Sequence, residues 1–255
     1  MMEYQFSKRI GALKPSAIRE MLKFTVGSEI IPFAAGNPSP DAFPKEAITE
    51  IAADILANNA ITALQYGISE GYAPLREALK AYLKEKKGLG TDTDDLNIMT
   101  GAQQGIELCT KVFCDDGDTV ICENPSFIGS LNAFRSYEAN LAGVDMEDDG
   151  MDIDMLEAAL KREKNVRFIY TIPNFQNPSG ITMSAEKRKR VYELALRHGV
   201  LILEDDPYGD LRYSGGYIPP IKALDTEGIV FYIGSFSKII SPGLRVGYIM
   251  APQQA

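Results

Sequence analysis

A lysine near the end of the chain, Lys238, lies in a setting that suits covalent chemistry. Residues 228–252 read GIVFYIGSFSKIISPGLRVGYIMAP, in which two apolar runs enclose a short polar segment that contains the lysine. Apolar surroundings disfavour the charged form of an amine, so its pKa falls and it becomes a better nucleophile at neutral pH. The alternative, from this stretch alone, is a solvated lysine in a surface turn.

Hydroxyl groups and a guanidinium group accompany this lysine. Ser235 and Ser237 precede it and Arg245 follows it, and groups of these types bind anions such as phosphate. Earlier in the chain, residues 100–104 read TGAQQ and open a predicted helix that has no acidic residue in its first turn. A helix N-terminus of this kind also binds anions. The sequence therefore contains two segments that suit a phosphate group.

Two more polar segments follow apolar runs. Residues 173–180 read PNFQNPSG and residues 204–208 read EDDPY. Taken alone, each is explained as a turn or an acidic loop. Together with the segments above, they supply a carboxylate, a phenol, an amide, a phosphate site and a lysine. This set of groups suits pyridoxal 5′-phosphate, which needs a lysine for a Schiff base and an acid beside its pyridine nitrogen.

The elements that must position these groups alternate between short apolar strands and amphipathic helices. Strands are predicted over 30–34, 97–99, 119–122, 140–144, 166–171, 200–203, 229–233 and 245–250. Helices are predicted over 14–25, 44–58, 74–87, 103–113, 126–137, 153–164 and 184–197. Such alternation predicts an α/β fold with a largely parallel sheet, whose ligands bind at the carboxyl ends of the strands.

Composition and charge disfavour several classes of function. The 255 residues carry a net charge of −9, whereas nucleic acids and anionic membrane surfaces require a basic patch. No apolar run has the length of a membrane span or the pattern of a signal peptide. Three cysteines without a CxxC and a single histidine disfavour a disulfide framework, a histidine-based triad and a histidine-rich metal site. We therefore expect a cytoplasmic protein that binds neither nucleic acid nor membrane and holds no metal.

In their order along the chain, the motifs resemble those of the fold-type I pyridoxal-phosphate aminotransferases. The resemblance is strongest to the class I/II subgroup of 2-aminoadipate, kynurenine and aromatic aminotransferases, and it covers nearly the whole chain. It is carried by SAIREMLK, GNPSPDAFP, LQYGISEGYAPLREAL, TGAQQGIEL, ENPSF, PNFQNPSG, EDDPYGDLRY and GSFSKIISPGLRVGY. The resemblance implies a three-layer α/β/α sandwich with a mostly parallel sheet. It also implies ping-pong transfer of an amino group between an amino acid and a 2-oxo acid.

The resemblance implies a role for each residue around the cofactor ring. Lys238 would form the Schiff base and then act as general acid and base. Asp205 would pair with the pyridine nitrogen, while Tyr208 and Asn177 would hydrogen-bond the ring oxygen. Phe127 would stack on the face of the ring, at a position where relatives often have tyrosine.

The same resemblance implies the residues that bind the phosphate and the substrate. The phosphate would be held by Ala102, Gln103, Ser235, Ser237 and Arg245, with Ala102 at a position where serine is common. Pro207 would shape the loop at the ring edge, and Tyr66 would reach the cofactor of the neighbouring subunit in a homodimer with shared active sites. Gly36, Arg19 and Asn177 would face the substrate. Arg19 would bind an acidic side chain; otherwise it is a solvated charge on a helix.

The resemblance also implies a domain division. Residues 1–43 would form an N-terminal arm and part of a small domain, and residues 44–255 an incomplete cofactor-binding domain. Relatives continue with a C-terminal small domain that carries an arginine for the substrate carboxylate, so we expect a truncated chain. Other functions remain open: a lyase or decarboxylase of the same fold, or an inactive fragment. An effector module fused to a DNA-binding domain is disfavoured by the acidic charge.

Overall fold

The computed structural model describes residues 4–11, 13 and 36–255. The helix predicted over 14–25, the strand predicted over 30–34 and Arg19 lie outside these residues. The chain divides into two compact units. The first unit contains Ile106–Leu203 and the described residues before Pro38; the second contains Pro38–Gly105 and Glu204–Ala255. Each unit is described by itself below.

The described residues contain the alternating elements that the sequence predicts. The helices are α1 (Lys8–Gly11), α2 (Lys45–Asn58), α3 (Ala60–Leu64), α4 (Ala73–Lys87), α5 (Ala102–Phe113), α6 (Ile128–Ser136), α7 (Ile153–Arg162) and α8 (Ala185–His198). The strands are β1 (Asp94–Met99), β2 (Thr119–Asn124), β3 (Asn140–Glu147), β4 (Gly150–Met151), β5 (Val166–Thr171), β6 (Leu201–Asp206), β7 (Val230–Ser235) and β8 (Gly247–Pro252). They belong to an eight-stranded mixed sheet, so the predicted α/β class is confirmed.

Several helices begin and end where capping rules place their ends. The Asp152 side chain accepts a hydrogen bond from the Met155 N–H at 2.9 Å and starts α7, and Ser184 starts α8 in the same way. Gly88 and Gly199 end α4 and α8 with φ angles of 68° and 65°, in the left-handed region that glycine adopts at little cost. The caps therefore fix which residues lead into the following strands.

In the first unit, four strands lie in the order β5-β2-β3-β4. Strand β2 is parallel to both β3 and β5, whereas the two-residue β4 is antiparallel to β3. Parallel neighbours need a crossover, and α6 supplies it between β2 and β3. Val120 and Ile121 in β2 and Ile169 in β5 are fully buried, as expected for central strands of an α/β sheet.

In the second unit, β8 pairs with β7 on one side and with β1 on the other, both antiparallel. The connection from β7 to β8 contains only a turn and a short 3-10 helix, Pro242–Leu244, so no crossover helix is present to make this pair parallel. The core of this unit is a cluster that includes Leu79, Leu83, Leu89, Leu96, Tyr232, Tyr248 and Met250. The second unit therefore adds an antiparallel part to the parallel pattern that alternation predicts.

Two of the differences between predicted and observed boundaries concern candidate site residues. Strand β6 extends to Asp206, so the acidic residues of EDDPY lie on the strand and not in a loop after it. Arg245, predicted as the first residue of the last strand, lies before β8 in the left-handed region with φ 53°. Acidic residues have low strand propensity, but here tertiary contacts compensate for it.

Glu204 shows how the acidic residues are accommodated in the strand. It is fully buried and accepts hydrogen bonds from the backbone N–H groups of Ile221 and Lys222, each at 2.8 Å. The Lys222 ammonium group in turn lies 2.7 Å from Asp94 Oδ1 and 2.9 Å from Asp225 Oδ2. Every charged group of this cluster therefore has a partner, which is the condition for burying charge without a large cost.

Replacing Asp225 is expected to destabilise the fold in a pH-dependent way. Burial alone would raise the pKa of the Asp225 carboxyl, but the Lys222 ammonium and backbone N–H groups outweigh burial and hold it below its usual range. Asp225→Ala leaves a buried ammonium group without this partner and should lower the free energy of unfolding by about 3 kcal/mol at neutral pH. Urea unfolding followed by circular dichroism measures the loss.

The sign of the pH dependence follows from the depressed pKa. A carboxyl of this kind stabilises the fold above its unfolded pKa, and the stabilisation is lost as the pH falls through the folded value. The difference between wild type and Asp225→Ala should therefore shrink below about pH 4. Asp148→Ala, at an exposed position, is the control and should change stability little. A difference that stays constant down to low pH would contradict the ion-pair explanation.

Candidate active site

Lys238 lies in a turn that follows β7 in the second unit. The N–H of Ile240 donates to the Phe236 carbonyl at 2.9 Å, and the N–H of Phe236 donates to the Val246 carbonyl at 3.1 Å. These bonds close the turn and join its start to the residue before β8. Main-chain hydrogen bonds therefore hold the backbone around Lys238 in place.

The Lys238 side chain is half-buried, and burial lowers the pKa of its amine below the ordinary value. This is the direction that the apolar flanks of the lysine predict. A larger fraction of neutral amine results, and the neutral amine is the form that attacks a carbonyl carbon. The turn therefore holds a partly buried amine, and the covalent role of Lys238 stays a prediction.

Three backbone segments of the second unit meet beside this turn. Gly247, the first residue of β8, is aligned with Ser235 of β7 on one side and with Met99 of β1 on the other. A Cβ atom added to Gly247 would lie 2.7 Å from the Ala102 nitrogen and 3.0 Å from the Gly234 carbonyl oxygen. Only glycine allows this approach, which brings the first turn of α5 against the ends of β7 and β8.

Arg245 lies over the same helix N-terminus. Its guanidinium Nη1 donates to the Pro242 carbonyl at 3.2 Å, and its Nη2 lies 3.5 Å from the Thr100 carbonyl. A Cβ atom added to Gly101, which has φ 76°, would overlap Arg245 Nη2. Gly101 is thus the residue that leaves room for the guanidinium above the start of α5.

The electrostatics of this arrangement favour an anion. A helix N-terminus carries a partial positive charge and first-turn N–H groups with no intrahelical acceptor. The first turn of α5 contains no acidic residue, and the Gln104 side chain accepts from the Thr100 N–H at 2.6 Å. The Arg245 guanidinium adds a second positive charge beside this terminus, and both would attract an anion. Arg245 also adopts a left-handed backbone, a conformation that costs a non-glycine residue about 1–2 kcal/mol. We call this arrangement of Gly101, Ala102, Ser235, Arg245 and Gly247 the anion cradle.

The acidic residues of β6 separate into two groups by the alternation of side chains along a strand. Glu204 and Asp206 share one face of the strand and Asp205 has the other. Asp205 is only 3% exposed, so its carboxylate is buried. After the strand ends, Pro207 and Tyr208 lead into a short 3-10 helix, Gly209–Leu211, and the Leu211 N–H donates to the Tyr208 carbonyl at 2.9 Å.

The predicted site residues are divided between the two units. Those in the second unit are Tyr66, Ala102, Gln103, Asp205, Pro207, Tyr208, Ser235, Ser237, Lys238 and Arg245. Those in the first unit are Gly36, Phe127 and Asn177, and Arg19 lies outside the described residues. Within the second unit, the structure brings Ala102, Ser235 and Arg245 into the anion cradle. Tyr66 is 98% exposed. The individual roles of these residues stay predictions.

The first unit contains a buried clasp that sequence reasoning missed. Glu123 is 2% exposed, and its Oε2 accepts a hydrogen bond from Gln176 Nε2 at 3.1 Å. Gln176 Nε2 also donates to the Pro125 carbonyl at 2.8 Å. The clasp joins ENPSF to PNFQNPSG and so joins the segments that carry Phe127 and Asn177. The sequence signal for this contact was the presence of a carboxylate, Glu123, and an amide, Gln176, in two polar motifs.

The glycines of the anion cradle were also missed as site residues. Gly101 precedes a helix and Gly247 begins a strand, and a glycine in either place is a sequence signal for a close approach of another segment. The signal does not say which segment approaches, because the partners are distant in sequence. Only the structure identifies Arg245 and Ala102 as the neighbours.

The residues of the second unit fit the cofactor that the sequence suggests. A phosphate group suits the anion cradle, where Gly101 leaves room for the Arg245 guanidinium beside the N-terminus of α5. A lysine with a lowered pKa suits an aldehyde, and the buried Asp205 suits a pyridine nitrogen. Among the described residues, no group of three or more histidine, cysteine or acidic side chains could hold a metal ion. No helix in that part of the chain is long and apolar enough to cross a bilayer.

Comparisons with known proteins agree with this geometry. The profile of the family described as aminotransferase class I and II matches residues 28–255. The aromatic-amino-acid aminotransferase 1 of Thermococcus litoralis is 44% identical over 253 residues, which cover 98% of this chain and 61% of that protein. The 2-aminoadipate transaminase of Thermus thermophilus is 42% identical, with 98% and 62% covered. The chain thus spans about three fifths of the length of these curated relatives.

Solved structures show the same fold. The kynurenine aminotransferase of Pyrococcus horikoshii, solved with PMP and kynurenine, superposes with a TM-score of 0.93 at 42% identity. The superposition covers 98% of this chain and 62% of that one. The predicted α/β fold with a mostly parallel sheet, and the resemblance to class I/II aminotransferases, are therefore confirmed.

A methyl group in the anion cradle is expected to weaken binding of pyridoxal phosphate. Gly101→Ala would displace the Arg245 guanidinium, and loss of one hydrogen bond from a charged donor corresponds to about a tenfold higher Kd. Absorption titration of the purified protein measures this constant. The control is Gly199→Ala, which has a similar φ of 65° and no atom within 4 Å of the added carbon. Equal affinity of Gly101→Ala and Gly199→Ala would contradict the assignment of the cradle.

Proposed function

The chain belongs to the class I and II aminotransferase family, and we propose that it acts in pyridoxal-phosphate-dependent transfer of an amino group between an amino acid and a 2-oxo acid. The observation that carries the proposal is a half-buried lysine of lowered pKa, Lys238. It follows β7, whose last residue, Ser235, is aligned with Gly247 in the anion cradle. Because the relatives are longer than this chain, the proposed activity is that of the whole protein. The residues described here would supply the cofactor site.

The chemistry divides between cofactor and protein. Pyridoxal phosphate, when bound, supplies an aldehyde and an electron-withdrawing ring. Lys238 Nζ would be the point of covalent attachment of the cofactor, and its neutral amine would accept and return the proton of the substrate α-carbon. Asp205 would hold a proton on the pyridine nitrogen, and the anion cradle would keep the phosphate and hence the ring in one orientation.

Further contacts are proposed from the family resemblance. Tyr208 and Asn177 would donate hydrogen bonds to the ring oxygen, Phe127 would stack on the ring, and Pro207 would shape the loop at its edge. Gln103 and Ser237 would add phosphate contacts. Gly36 would lie beside the substrate, and Arg19 would bind an acidic substrate side chain.

The relatives indicate the class of substrate. Their names specify aromatic amino acids, 2-aminoadipate and kynurenine, so we propose an amino acid with a large aromatic or acidic side chain. A lyase or decarboxylase of the same fold is not favoured, since these relatives are transaminases. We further propose that residues 1–43 form an N-terminal arm and part of a small domain. Residues 44–255 would then form an incomplete cofactor-binding domain.

The proposed assembly is a homodimer. Ile61 and Leu64 on α3 and Tyr66 just after it are 83%, 76% and 98% exposed. Exposed large apolar side chains this close together are typical of an interface. A second copy that covers them would bring Tyr66 toward the neighbouring cofactor, as the resemblance implies. We further propose a cytoplasmic location, which the three buried free cysteines support.

Removing the amine of Lys238 is expected to abolish covalent attachment of the cofactor. After incubation with pyridoxal phosphate and reduction with borohydride, peptide mapping of wild type should find the label on residue 238. Lys238→Ala should give no stable label while still binding pyridoxal phosphate non-covalently, because the anion cradle is intact. Lys84→Ala, at an exposed lysine, is the control and should be labelled like wild type. A label elsewhere, or none on folded wild type, would overturn the proposed function.

A charge on the exposed surface of α3 is expected to disrupt the proposed dimer. Leu64→Glu introduces a carboxylate that would be desolvated at the interface and should raise the dimer dissociation constant by at least about tenfold. Sedimentation velocity over a range of concentrations measures it. Tyr213→Glu, at a residue 96% exposed, is the matched control. Wild type that stays monomeric at every concentration, or equal effects of the two variants, would contradict this interface.

A further inference from the structure

The last residue of α4, Lys87, has an unusual environment in the second unit. A lysine at the end of an amphipathic helix normally extends its ammonium group into solvent. The Lys87 side chain is instead only 4% exposed, and its Nζ lies 2.9 Å from Tyr232 Oη and 3.2 Å from Asp206 Oδ2. Asp210 Oδ2 also lies 3.2 Å from this nitrogen. Three groups from two later parts of the chain therefore converge on one buried cation.

Asp206 connects this cation to the bend that follows β6. Its Oδ2 accepts a second hydrogen bond, from Tyr232 Oη at 2.7 Å, while its Oδ1 accepts from the Gly209 N–H at 3.0 Å. A Cβ atom added to Gly209 would lie 2.5 Å from Asp206 Oδ1, so glycine is needed for this contact. One oxygen of the carboxylate thus holds the bend, and the other holds Lys87 and Tyr232.

The bend held in this way carries two of the proposed cofactor contacts. The Asp206 carboxylate accepts a hydrogen bond from the Gly209 N–H, and the Lys87 ammonium group forms an ion pair with Asp210. Pro207 and Tyr208 lie between these points, and Asp205 directly precedes Asp206. A shift of the bend would therefore move Tyr208, and a rotation of the strand end would move the Asp205 carboxylate.

The charge of Lys87 matters as much as its geometry. Asp205, Asp206 and Asp210 are close in sequence, and their negative charges repel one another unless a cation lies among them. Burial alone would lower the pKa of Lys87, but Asp206, Tyr248 and Asp210 raise it above its ordinary value, so the ammonium form is retained. This cation offsets the negative charge of Asp206 and Asp210 at the end of the strand that carries Asp205.

We propose that Lys87, acting with Asp206 and Tyr232, is a positioning residue that holds Asp205 and Tyr208 in place for the cofactor ring. The inference rests on the proposed function. It concerns only how residues of the second unit are held, since Lys87 contacts Asp206, whose side chain is on the opposite face of β6 from Asp205. Positioning should change how the ring is bound while the phosphate contacts of the anion cradle stay as they are.

The second unit contains a matched control for a purely structural role. Lys222 is also a buried lysine between two aspartates, Asp94 and Asp225, at 2.7 and 2.9 Å. Its ammonium group holds neither Asp206 nor the bend that follows it. Lys87→Met and Lys222→Met thus remove the same charge from similarly buried ion clusters, but only the Lys87 ammonium group contacts Asp206 and Asp210.

The experiment compares these variants in the 255-residue chain. Kd values for pyridoxal phosphate and for inorganic phosphate are measured by titration, together with Tm and the pH midpoint of the absorption change of the bound cofactor. Lys87→Met should raise the Kd for pyridoxal phosphate about tenfold, shift the pH midpoint and leave the Kd for inorganic phosphate unchanged. Tyr232→Phe should give the same pattern with about a threefold effect, and Lys87→Arg should restore most of the affinity. Lys222→Met should lower Tm without changing these constants or the midpoint.

The outcomes separate the inference from the proposed function. Wild type that binds no pyridoxal phosphate would overturn both. The positioning role alone would be overturned if wild type binds pyridoxal phosphate but Lys87→Met and Tyr232→Phe leave its Kd and the pH midpoint unchanged. The same conclusion would follow if these variants change the Kd and the midpoint only as much as Lys222→Met does. If Lys87→Met does not fold, Tyr232→Phe decides, because it removes one hydroxyl group and keeps the ring in the core.

Discussion

The close approach of three backbone segments at Gly247 is the constraint on which the anion cradle depends. Strand β8 begins against the Ala102 nitrogen and the Gly234 carbonyl, at distances that exclude any side chain on Gly247. That contact places the N-terminus of α5 beside the last residue of β7 and the first residue of β8. The turn that contains Lys238 connects these two strands. A phosphate group bound there would interact with a helix end, hydroxyl groups and a guanidinium at once. The contact thus converts separate sequence motifs into a single binding surface.

Buried charge is the second organising feature, and β6 divides it by alternation. Glu204 and Asp206 lie on one face, where backbone N–H groups, Lys87 and Tyr232 neutralise and hold them. Asp205 lies on the other face, where the proposed chemistry takes place. Main-chain N–H groups therefore hold Glu204, and the Lys87 ammonium and Tyr232 hydroxyl hold Asp206, on the face of the strand opposite Asp205. Three consecutive carboxylates in a buried strand would be strongly unfavourable without these partners.

Much of this arrangement could be predicted from local pattern. Strand β5 was predicted at its observed bounds because its apolar run is flanked by polar residues, and α4 ends at Gly88 because glycine adopts φ 68° at little cost. The lysine, the acidic residues and the helix N-terminus were recognisable as groups with chemical use. The left-handed Arg245, the extension of β6 through Asp206 and the burial of Lys87 were not. Each involves partners in other elements of the fold, and a periodic pattern carries no information about such partners.

The backbone of Arg245 has a consequence for the stability of this protein. A left-handed arginine is strained, and glycine or asparagine at the same position would relieve that strain. Either replacement would remove the guanidinium that lies over Gly101. Selection for thermal stability and selection for cofactor retention would therefore act in opposite directions on this one residue. A chain stabilised by consensus or directed evolution has to keep the less stable choice here, and Gly101 with it, if it is to hold an anion.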